Sequence, residues 1–371
     1  MTKSITPAFT WARLLSDYLS SKRGDDVYVL TGVLHSCTRP KLDGVITVFR
    51  IPEVKYIFTM LFSILSSLLT HSLSPDVVLD NQSFDHFTIF LHRYPTLSII
   101  HDIDETLPSV KGLLGKVRRL NLTFVLRRAR YVVVPSAATK KRILSLFPNL
   151  DARRIFVVPW GIDTERFHPN VDGSKVRHKL GLHQGPVLLF VGRIASNKRI
   201  DLLIRALGKV KTTYPSARLL IVGPYSQPQS AVRLHEQLQA LAVSLGLTSY
   251  VVFAGEVPES ELPEYYAAST LFVQASDEGE GFGFSCLEAE STGKPVVCSS
   301  VFRETGVVGS TSCIIAKADP DSISSAILTV LGDPEIGAAL GRNGRMFAEG
   351  FSWERCCDQI GRIIEQVAAG R

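Results

Sequence analysis

Leu271–Glu290 reads LFVQASDEGEGFGFSCLEAE. Leu271–Gln274 is short and mostly apolar, as a strand covered on both faces of a parallel sheet must be. Gly279, Gly281 and Gly283 follow, and the chain then enters a helical pattern around Leu287 and Ala289. A strand that runs through a glycine-rich turn into a helix is the building block of a doubly wound α/β sheet. The glycines let the backbone turn tightly and come close to a ligand. A helix starting near Gly283 aims free N–H groups and a partial positive charge at the turn, which suits a phosphate. Glu280 lies in the turn and Glu288 two turns into the helix. Both carboxylates can then point into one cleft and accept hydrogen bonds from sugar hydroxyls. Spacing alone also allows an ordinary turn and a surface residue at 288.

Working outward, Leu188–Leu207 reads LLFVGRIASNKRIDLLIRAL. A buried strand ends at Gly192, and Arg193 and Lys198 follow in the loop and at the helix start. Open α/β sheets bind ligands at the carboxyl ends of their strands. There a guanidinium fork and an ammonium could clamp two phosphates. Cations at a helix start work against the helix dipole, so their presence calls for another use. The glycines of a Walker loop are absent.

The same rhythm runs along the 371 residues. Strands are expected at Val27–Leu30, Val45–Phe49, Val77–Leu79, Leu97–Ile100, Tyr131–Val134 and Phe156–Val158. A second series is expected at Val187–Val191, Arg218–Val222, Val251–Phe253, Leu271–Gln274, Pro295–Cys298 and Cys313–Ile315, with helical patterns between. Two such series predict two doubly wound, Rossmann-like parallel-sheet domains with a cleft between them. The prolines and glycine of PWGIDTERFHP, Pro159–Pro169, mark the join. The expected domains are 1–160, 161–350 and a terminal helical segment, 351–371.

Hydrophobic residues are 45% and charged residues 20% of the chain, a globular balance that excludes disorder. The six cysteines form no CxxC pair, which argues against a disulfide framework or a structural zinc site and fits a reducing cytosol. No apolar leader opens the chain, so no signal peptide is expected. The charge is uneven: up to Trp160 there are 21 Lys and Arg against 12 Asp and Glu, and beyond it 20 against 23. Lys111–Arg142 holds ten basic residues and no acidic one. Such a patch attracts anions: an anionic lipid surface, a phosphorylated acceptor or, least well supported, nucleic acid, for which no recognition module is readable. A solvated helix face would look the same. Tyr56–Leu73 is 18 residues without a formal charge, but its serines, threonines and histidine favour a sheet-covering helix over a membrane span. An apolar helix near a basic patch also supplies both signals for peripheral membrane attachment.

PWGIDTERFHP, VGRIASNKRIDLLIRAL, EGEGFGFSCLEAESTGKPVV and the FSWE at Phe351–Glu354, in this order along the chain and with Glu280 and Glu288 forming an E-x7-E pair, resemble glycosyltransferase family 4, the group that includes glycogen-synthase-like enzymes of the GT-B fold. The resemblance is close from about Ala129 to Arg371 and looser before it. It implies a nucleoside diphosphate sugar as co-substrate. Arg193 and Lys198 would bind its diphosphate, Glu288 the ribose hydroxyls, and Glu280 the hydroxyls of the donor sugar. Backbone N–H groups of Phe282, Gly283 and Phe284 would contact sugar and phosphate, and Glu256–Val257 would lie beside the base. His101, in SIIHDID, would face the donor sugar and acceptor, with Asp102 a weaker candidate. Ser352–Ala369 resembles the helix that crosses back to the first domain.

One departure stands out. Members of the family begin with a strand and a Gly-rich loop, whereas this chain opens with a helical pattern, Phe9–Ser21, and then the strand at Val27. The N-terminal domain is therefore expected to lack its first strand or to carry an unusual segment in its place. The resemblance implies a retaining hexosyltransferase of mannose or glucose type. The basic first domain makes a lipid-linked or cell-envelope glycan the expected acceptor, with a soluble sugar next, and the protein cytoplasmic and peripheral on the membrane face. The histidines lack ligand spacing, so no metal is expected. A catalytically impaired nucleotide-sugar-binding homologue is the alternative that the missing strand raises. A sugar-nucleotide epimerase of the same fold is a third reading, which the E-x7-E loop and FSWE disfavour.

Overall fold

The computed structural model describes residues 7–27, 29–34, 45–51, 68, 70–81, 93–101, 113–182, 184–224, 229–277, 280 and 282–370. The chain divides into two compact units, Met1–Trp160 with Trp353–Arg371, and Gly161–Ser352.

The first unit runs α1 (Pro7–Arg23), β1 (Val29–Leu34), β2 (Val45–Ile51), β3 (Val78–Asn81), β4 (Thr96–Ile99), α2 (Leu113–Arg128), β5 (Tyr131–Val134), α3 (Ala137–Leu146) and β6 (Ile155–Val157). Strands β1 and β2 pair in parallel. β3 to β6 form a second parallel sheet in chain order. Its centre is mostly apolar: Leu97, Ile99, Val132, Val133 and Val134 are fully buried, and the buried Ser98 hydroxyl of β4 donates to Asp80 of β3 at 3.1 Å. Leu122, Val125 and Leu126, at helical spacing on α2, cover one face together with Ile143 of α3. Ser136 caps α3, its hydroxyl accepting the Thr139 N–H at 3.0 Å. Arg154 seals the end of α2: its Nε donates to Arg130 O at 3.1 Å and its Nη2 to the carbonyls of Leu126 (3.2 Å), Arg127 (3.1 Å) and Ala129.

The second unit runs α4 (Ser174–Lys179), β7 (Val187–Val191), α5 (Ile200–Val210), β8 (Arg218–Val222), α6 (Gln229–Ser244), β9 (Val251–Gly255), α7 (Leu262–Ala268), β10 (Leu271–Gln274), α8 (Phe284–Ser291), β11 (Val296–Ser299), α9 (Val301–Thr305), β12 (Cys313–Ala316), α10 (Pro320–Gly332) and α11 (Pro334–Ala348). All six strands pair in parallel, in the order β12-β11-β10-β7-β8-β9. α5 buries Ile200, Leu203, Ile204, Leu207 and Val210, one stripe at i, i+3, i+4, i+7 and i+10, against β8 and α10. Each such side chain contributes roughly 1.5–3 kcal/mol, so Leu203→Ala alone would cost about 2–5 kcal/mol. Asp-Pro pairs start α10 and α11: Asp319 accepts from the Ser322 N–H at 2.8 Å and Asp333 from the Glu335 N–H at 2.9 Å, with proline in the first turn of each.

The last helix, α12 (Trp353–Ala369), belongs to the first unit, where it packs on α1 and β4. Arg23 of α1 reaches its Glu365 at 2.6 Å, and Tyr18 donates to its Asp358. Among the described residues no single helix is long and apolar enough to cross a membrane; α10 and the segment after it pass on length and composition only as a pair bent by 100°. Tyr56–Leu73 lies mostly outside the described residues.

Candidate functional site

In the second sheet the chain starts at β7 in the middle, winds outward through β8 and β9, then returns to β10 on the other flank. The crossovers leave β7 and β10 in opposite directions. The carboxyl ends of those two neighbours are the switch point at which an open α/β sheet leaves a crevice. The segments that emerge there are 192–199 and 275–283, the two read from the sequence as ligand loops.

They hold one another. The Asp277 N–H donates to Asn197 O at 2.8 Å. Lys198 Nζ donates to both oxygens of Glu280, at 2.9 and 2.7 Å, with the side chains only 12% and 9% exposed. Either charge would be costly at that burial without the other. Lys198 and Glu280, expected as separate phosphate and sugar ligands, thus form one unit. Lys198 ends a short 3-10 turn, Ser196–Lys198, and Arg199 follows in the left-handed region at φ 46°. A β-carbon there costs about 1–2 kcal/mol. The Arg199 fork spans Asp201, Nε to Oδ1 at 3.1 Å and Nη2 to Oδ2 at 3.2 Å, and its Nη1 reaches Asp277 at 3.4 Å. Arg193 is exposed at the end of β7. The neighbouring strand end comes so near that a β-carbon on Gly223 would lie 2.0 Å from Gly192 O, so glycine is required there.

Gly283 caps α8 at φ 104°, and a β-carbon on it would meet the Phe302 ring at 2.8 Å. Left-handed backbone and close packing both demand glycine. The turn ends on Phe282, buried and edge-on to Phe284 with centroids 5.0 Å apart. The first N–H groups of α8 have no acceptor within the helix. Beneath the turn, Ser285 Oγ donates to Gln274 Oε1 at 2.7 Å, Gln274 Nε2 donates to Ser276 Oγ at 3.2 Å, and Ser299 Oγ donates to Ser276 O at 2.7 Å. This network fixes the end of β10.

Glu288 is half-buried and accepts from the Tyr266 hydroxyl at 2.6 Å. Burial pushes its carboxyl up to about 7, against the opposing pull of that hydroxyl and of the Arg166 charge. Arg166 comes from PWGIDTERFHP, stacks on Phe167 at 4.6 Å and pairs with Glu259 at 3.3 Å. Arg345 of α11 pins the same segment to α8, one Nη1 donating to Thr164 O, Phe167 O and Ser291 O at 2.9, 3.0 and 2.9 Å. Glu256 is exposed and Val257 half-buried just past β9. Glu290, two residues beyond Glu288, is fully buried: Ser312 donates to its Oε1, and its Oε2 has no partner among the described residues. Burial pushes this carboxyl up to about 9, so it is a neutral acid at pH 7.

In the first unit, His101 stands just past β4. It donates from Nε2 to Asn81 Oδ1 at 2.7 Å. Trp11 and Trp160 pack on its ring, each with centroids 5.1 Å away, and on one another at 5.0 Å. Burial lowers its value to about 4, so the imidazole is neutral. Such a ring can donate or accept a hydrogen bond but supplies no charge at pH 7. Gly279, Gly281, Asp102 and Lys111 lie outside the described residues. Among the described residues no three His, Cys, Asp or Glu side chains gather so as to hold a metal ion.

Sequence reasoning missed Tyr266, Arg199, Asp277, Arg345 and Glu290. Arg199 alone left a trace, as a cation at a helix start. The comparisons with known proteins agree with the architecture. A family model described as "Glycosyltransferase Family 4" matches residues 9–166, and one described as "Glycosyl transferases group 1" matches residues 174–347. The chain is 34% identical over 268 residues to the GDP-mannose-dependent alpha-(1-6)-phosphatidylinositol monomannoside mannosyltransferase of Mycolicibacterium smegmatis, covering 69% of this chain and 66% of that protein. It is 34% identical over 246 residues to a D-inositol 3-phosphate glycosyltransferase of Acidothermus cellulolyticus, covering 64% and 54%. The chain thus spans a little under two thirds, and about half, of these relatives' lengths. Among solved structures, Anabaena HepE in complex with UDP and glucose superposes with a TM-score of 0.79 at 19% identity, covering 98% of each chain. The sucrose-phosphate synthase of Thermosynechococcus elongatus does so at 0.81 and 21%, covering 100% of this chain and 96% of that one. With two parallel Rossmann-like sheets, a switch-point site and family models along most of its length, the chain belongs to glycosyltransferase family 4 and has the GT-B fold.

Proposed function

We propose that the protein is a retaining glycosyltransferase that moves a hexose, of mannose or glucose type, from a nucleoside diphosphate sugar to a lipid-linked or cell-envelope glycan. The observation that carries this reading is the convergence of Lys198, Glu280 and the first turn of α8 on one sheet switch point. The bond from the anomeric carbon to the diphosphate breaks, a bond to the acceptor oxygen forms on the same face, and the acceptor's proton leaves with the diphosphate or to water. Negative charge grows on the leaving oxygens. Arg193, Lys198 and the N–H groups of Gly283 and Phe284 stabilise it from fixed positions. Glu280 keeps lone pairs beyond those used by Lys198, and these hold sugar hydroxyls. Glu288 takes the ribose hydroxyls, with Val257 beside the base. His101, past β4 of the first unit, is assigned as a neutral hydrogen-bonding group for the reaction. No metal takes part in this scheme, and activity is expected to survive a chelator.

The relatives' names support a phosphorylated inositol or phosphatidylinositol type of acceptor. The first unit supports attachment to an anionic membrane face: Arg93, Arg127, Arg128, Arg130 and Arg154 line one cavity of about 530 Å³, and α2 exposes Leu120 beside Arg119. We place the protein in the cytoplasm, peripheral on the membrane. The test is to incubate purified protein with GDP-mannose or UDP-glucose and a phosphatidylinositol-based acceptor in anionic vesicles, and to analyse products by mass spectrometry and anomeric NMR. Transfer with the donor's anomeric configuration supports the reading. An inverted product removes retention, and nucleotide binding without transfer or hydrolysis leaves the impaired homologue standing.

A further inference from the structure

We infer that Arg199 is a positioning residue for the donor diphosphate, bracing the loop that carries Lys198 against the loop that carries Glu280. The inference rests on the donor-site reading above. Arg199 is disfavoured twice over where it stands. Among the described residues only Ser74 and Arg199 place a side chain on a left-handed backbone. Arg199 is also the N-cap of α5, where a cation opposes the helix dipole and where no side-chain cap bond forms. Local penalties of this kind persist where the surroundings over-determine the conformation, and they gather at functional sites.

The surroundings here are two aspartates with different jobs. Asp201 sits in the first turn of α5, a place that favours an acid, and grips two nitrogens of the fork at 3.1 and 3.2 Å. That anchors the guanidinium and leaves Nη1 to reach across to Asp277 at 3.4 Å. The Asp277 N–H in turn donates to Asn197 O at 2.8 Å. Lys198 is therefore flanked, one residue to either side, by ties that both end on Asp277, three positions before Glu280. The left-handed turn at Arg199 carries the chain from Lys198 into α5 and leaves Lys198 Nζ at 2.7 Å from Glu280. Arg199, Asp201 and Asp277 border a cavity of about 1000 Å³ against α6, so polar ties cross that side of the loop, while Ile194 and Ile200 anchor its two ends in the core.

Arg199→Gly separates brace from backbone, because glycine keeps the left-handed turn without strain and removes the guanidinium. The variants are Arg199→Gly, Asp277→Ala, their double, Arg199→Lys and, as a reference, Lys198→Ala. The measurements are thermal melting, calorimetric titration with GDP and with UDP, and donor KM and kcat. Arg199→Gly is expected to melt within a few degrees of the parent while nucleotide Kd and donor KM rise about tenfold, and kcat falls as well because Lys198 also steadies the leaving oxygens. Asp277→Ala should match it, the double should be no worse than either single, and Arg199→Lys should recover part of the loss. Unchanged Kd and KM in Arg199→Gly beside an impaired Lys198→Ala would overturn the brace and leave the donor site intact. A lower melting point with unchanged Kd overturns it too. If Lys198→Ala also binds both nucleotides as the parent does, the donor-site reading itself falls, and the brace with it.

Discussion

His101 and Lys198 both lie on segments that leave the carboxyl end of a parallel strand, two residues past β4 and seven past β7, yet they are held by opposite means. His101 is boxed by Trp11 and Trp160 and kept neutral by burial. Lys198 is held by an ion pair with Glu280. The first arrangement fixes a shape and one neutral hydrogen bond, to Asn81. The second fixes a charge, and it fails if either partner goes, because the survivor is left buried and unpaired. The same sheet edge thus offers a geometric platform in one unit and an electrostatic one in the other. Chemistry that develops charge belongs to the second.

The largest effect should therefore come from the charged edge. Arg193 is exposed, so Arg193→Ala takes little from the fold, and its melting temperature is expected to stay within about 2 °C of the parent. Turnover should fall by about 10²–10³, the usual cost of deleting one donor to a developing oxyanion. His101→Phe keeps the aromatic box and should lose far less. The comparison breaks if the two variants lose turnover equally, for then the neutral edge contributes as much to the reaction as the charged one. Steady-state rates on both, alongside melting curves, decide it.

Why some of this was legible and some not follows from what each feature asks of the chain. Strands buried on both faces must be apolar throughout, so β7, β8 and β10 could be read to the residue, at Val187–Val191, Arg218–Val222 and Leu271–Gln274. β1 was expected from Val27 and starts at Val29, and β9 runs on to Gly255, past the expected Phe253. Strand ends are fixed by pairing partners rather than by hydrophobicity. In the site, Lys198 and Glu280 were visible as charges beside a glycine turn. Their ion pair was not, because the partners are 82 positions apart and only the sheet order makes them neighbours. Arg345 reads as a surface cation until the carbonyls it gathers are seen. Glu290 left no trace at all, since an acid on a short helix reads as a solvent-facing residue, and only the fold puts it in the core.

The next effect sharpens the contrast through pH. The folded value of His101, about 4, lies below its ordinary 6.5. The unfolded chain takes up that proton first, so this group's contribution is complete above pH 6.5 and is lost as the pH falls towards 4. Glu290 runs the other way. Its folded value, about 9, lies above the ordinary 4.5. The folded chain keeps a proton that the unfolded chain releases, so stability is greatest below 4.5 and declines as the pH rises through 9. Glu290→Gln keeps the shape and the hydrogen bond with Ser312 and cannot ionise. It is expected to raise the melting temperature by several degrees at pH 8, to change it little at pH 5, and to flatten the alkaline limb. A lower melting temperature at pH 8 would mean that Glu290 is an ionised, paired carboxylate.

Between the two extremes stands Glu288, a half-buried carboxylate held near neutrality. Its value of about 7 is set first by desolvation, with the Tyr266 hydroxyl drawing it down. A ribose hydroxyl donates best to the ionised form, so donor affinity should strengthen as the pH rises through about 7. Tyr266→Phe removes the hydroxyl, leaves the ring packed on Phe167 and takes away the hydrogen bond that favours the charged form. The Glu288 value then rises, and the rising limb of donor affinity moves to higher pH. The lost bond is worth about 1 kcal/mol, so at pH 7 the expected effect is a donor KM about threefold to fivefold higher, shrinking towards none at pH 9. Titration of GDP and UDP from pH 6 to 9 on both proteins reads it directly. A uniform loss at every pH would show the hydroxyl holding Glu288 in place rather than setting its ionisation. That would move Glu288 to the side of His101, as a group placed for shape and not for charge.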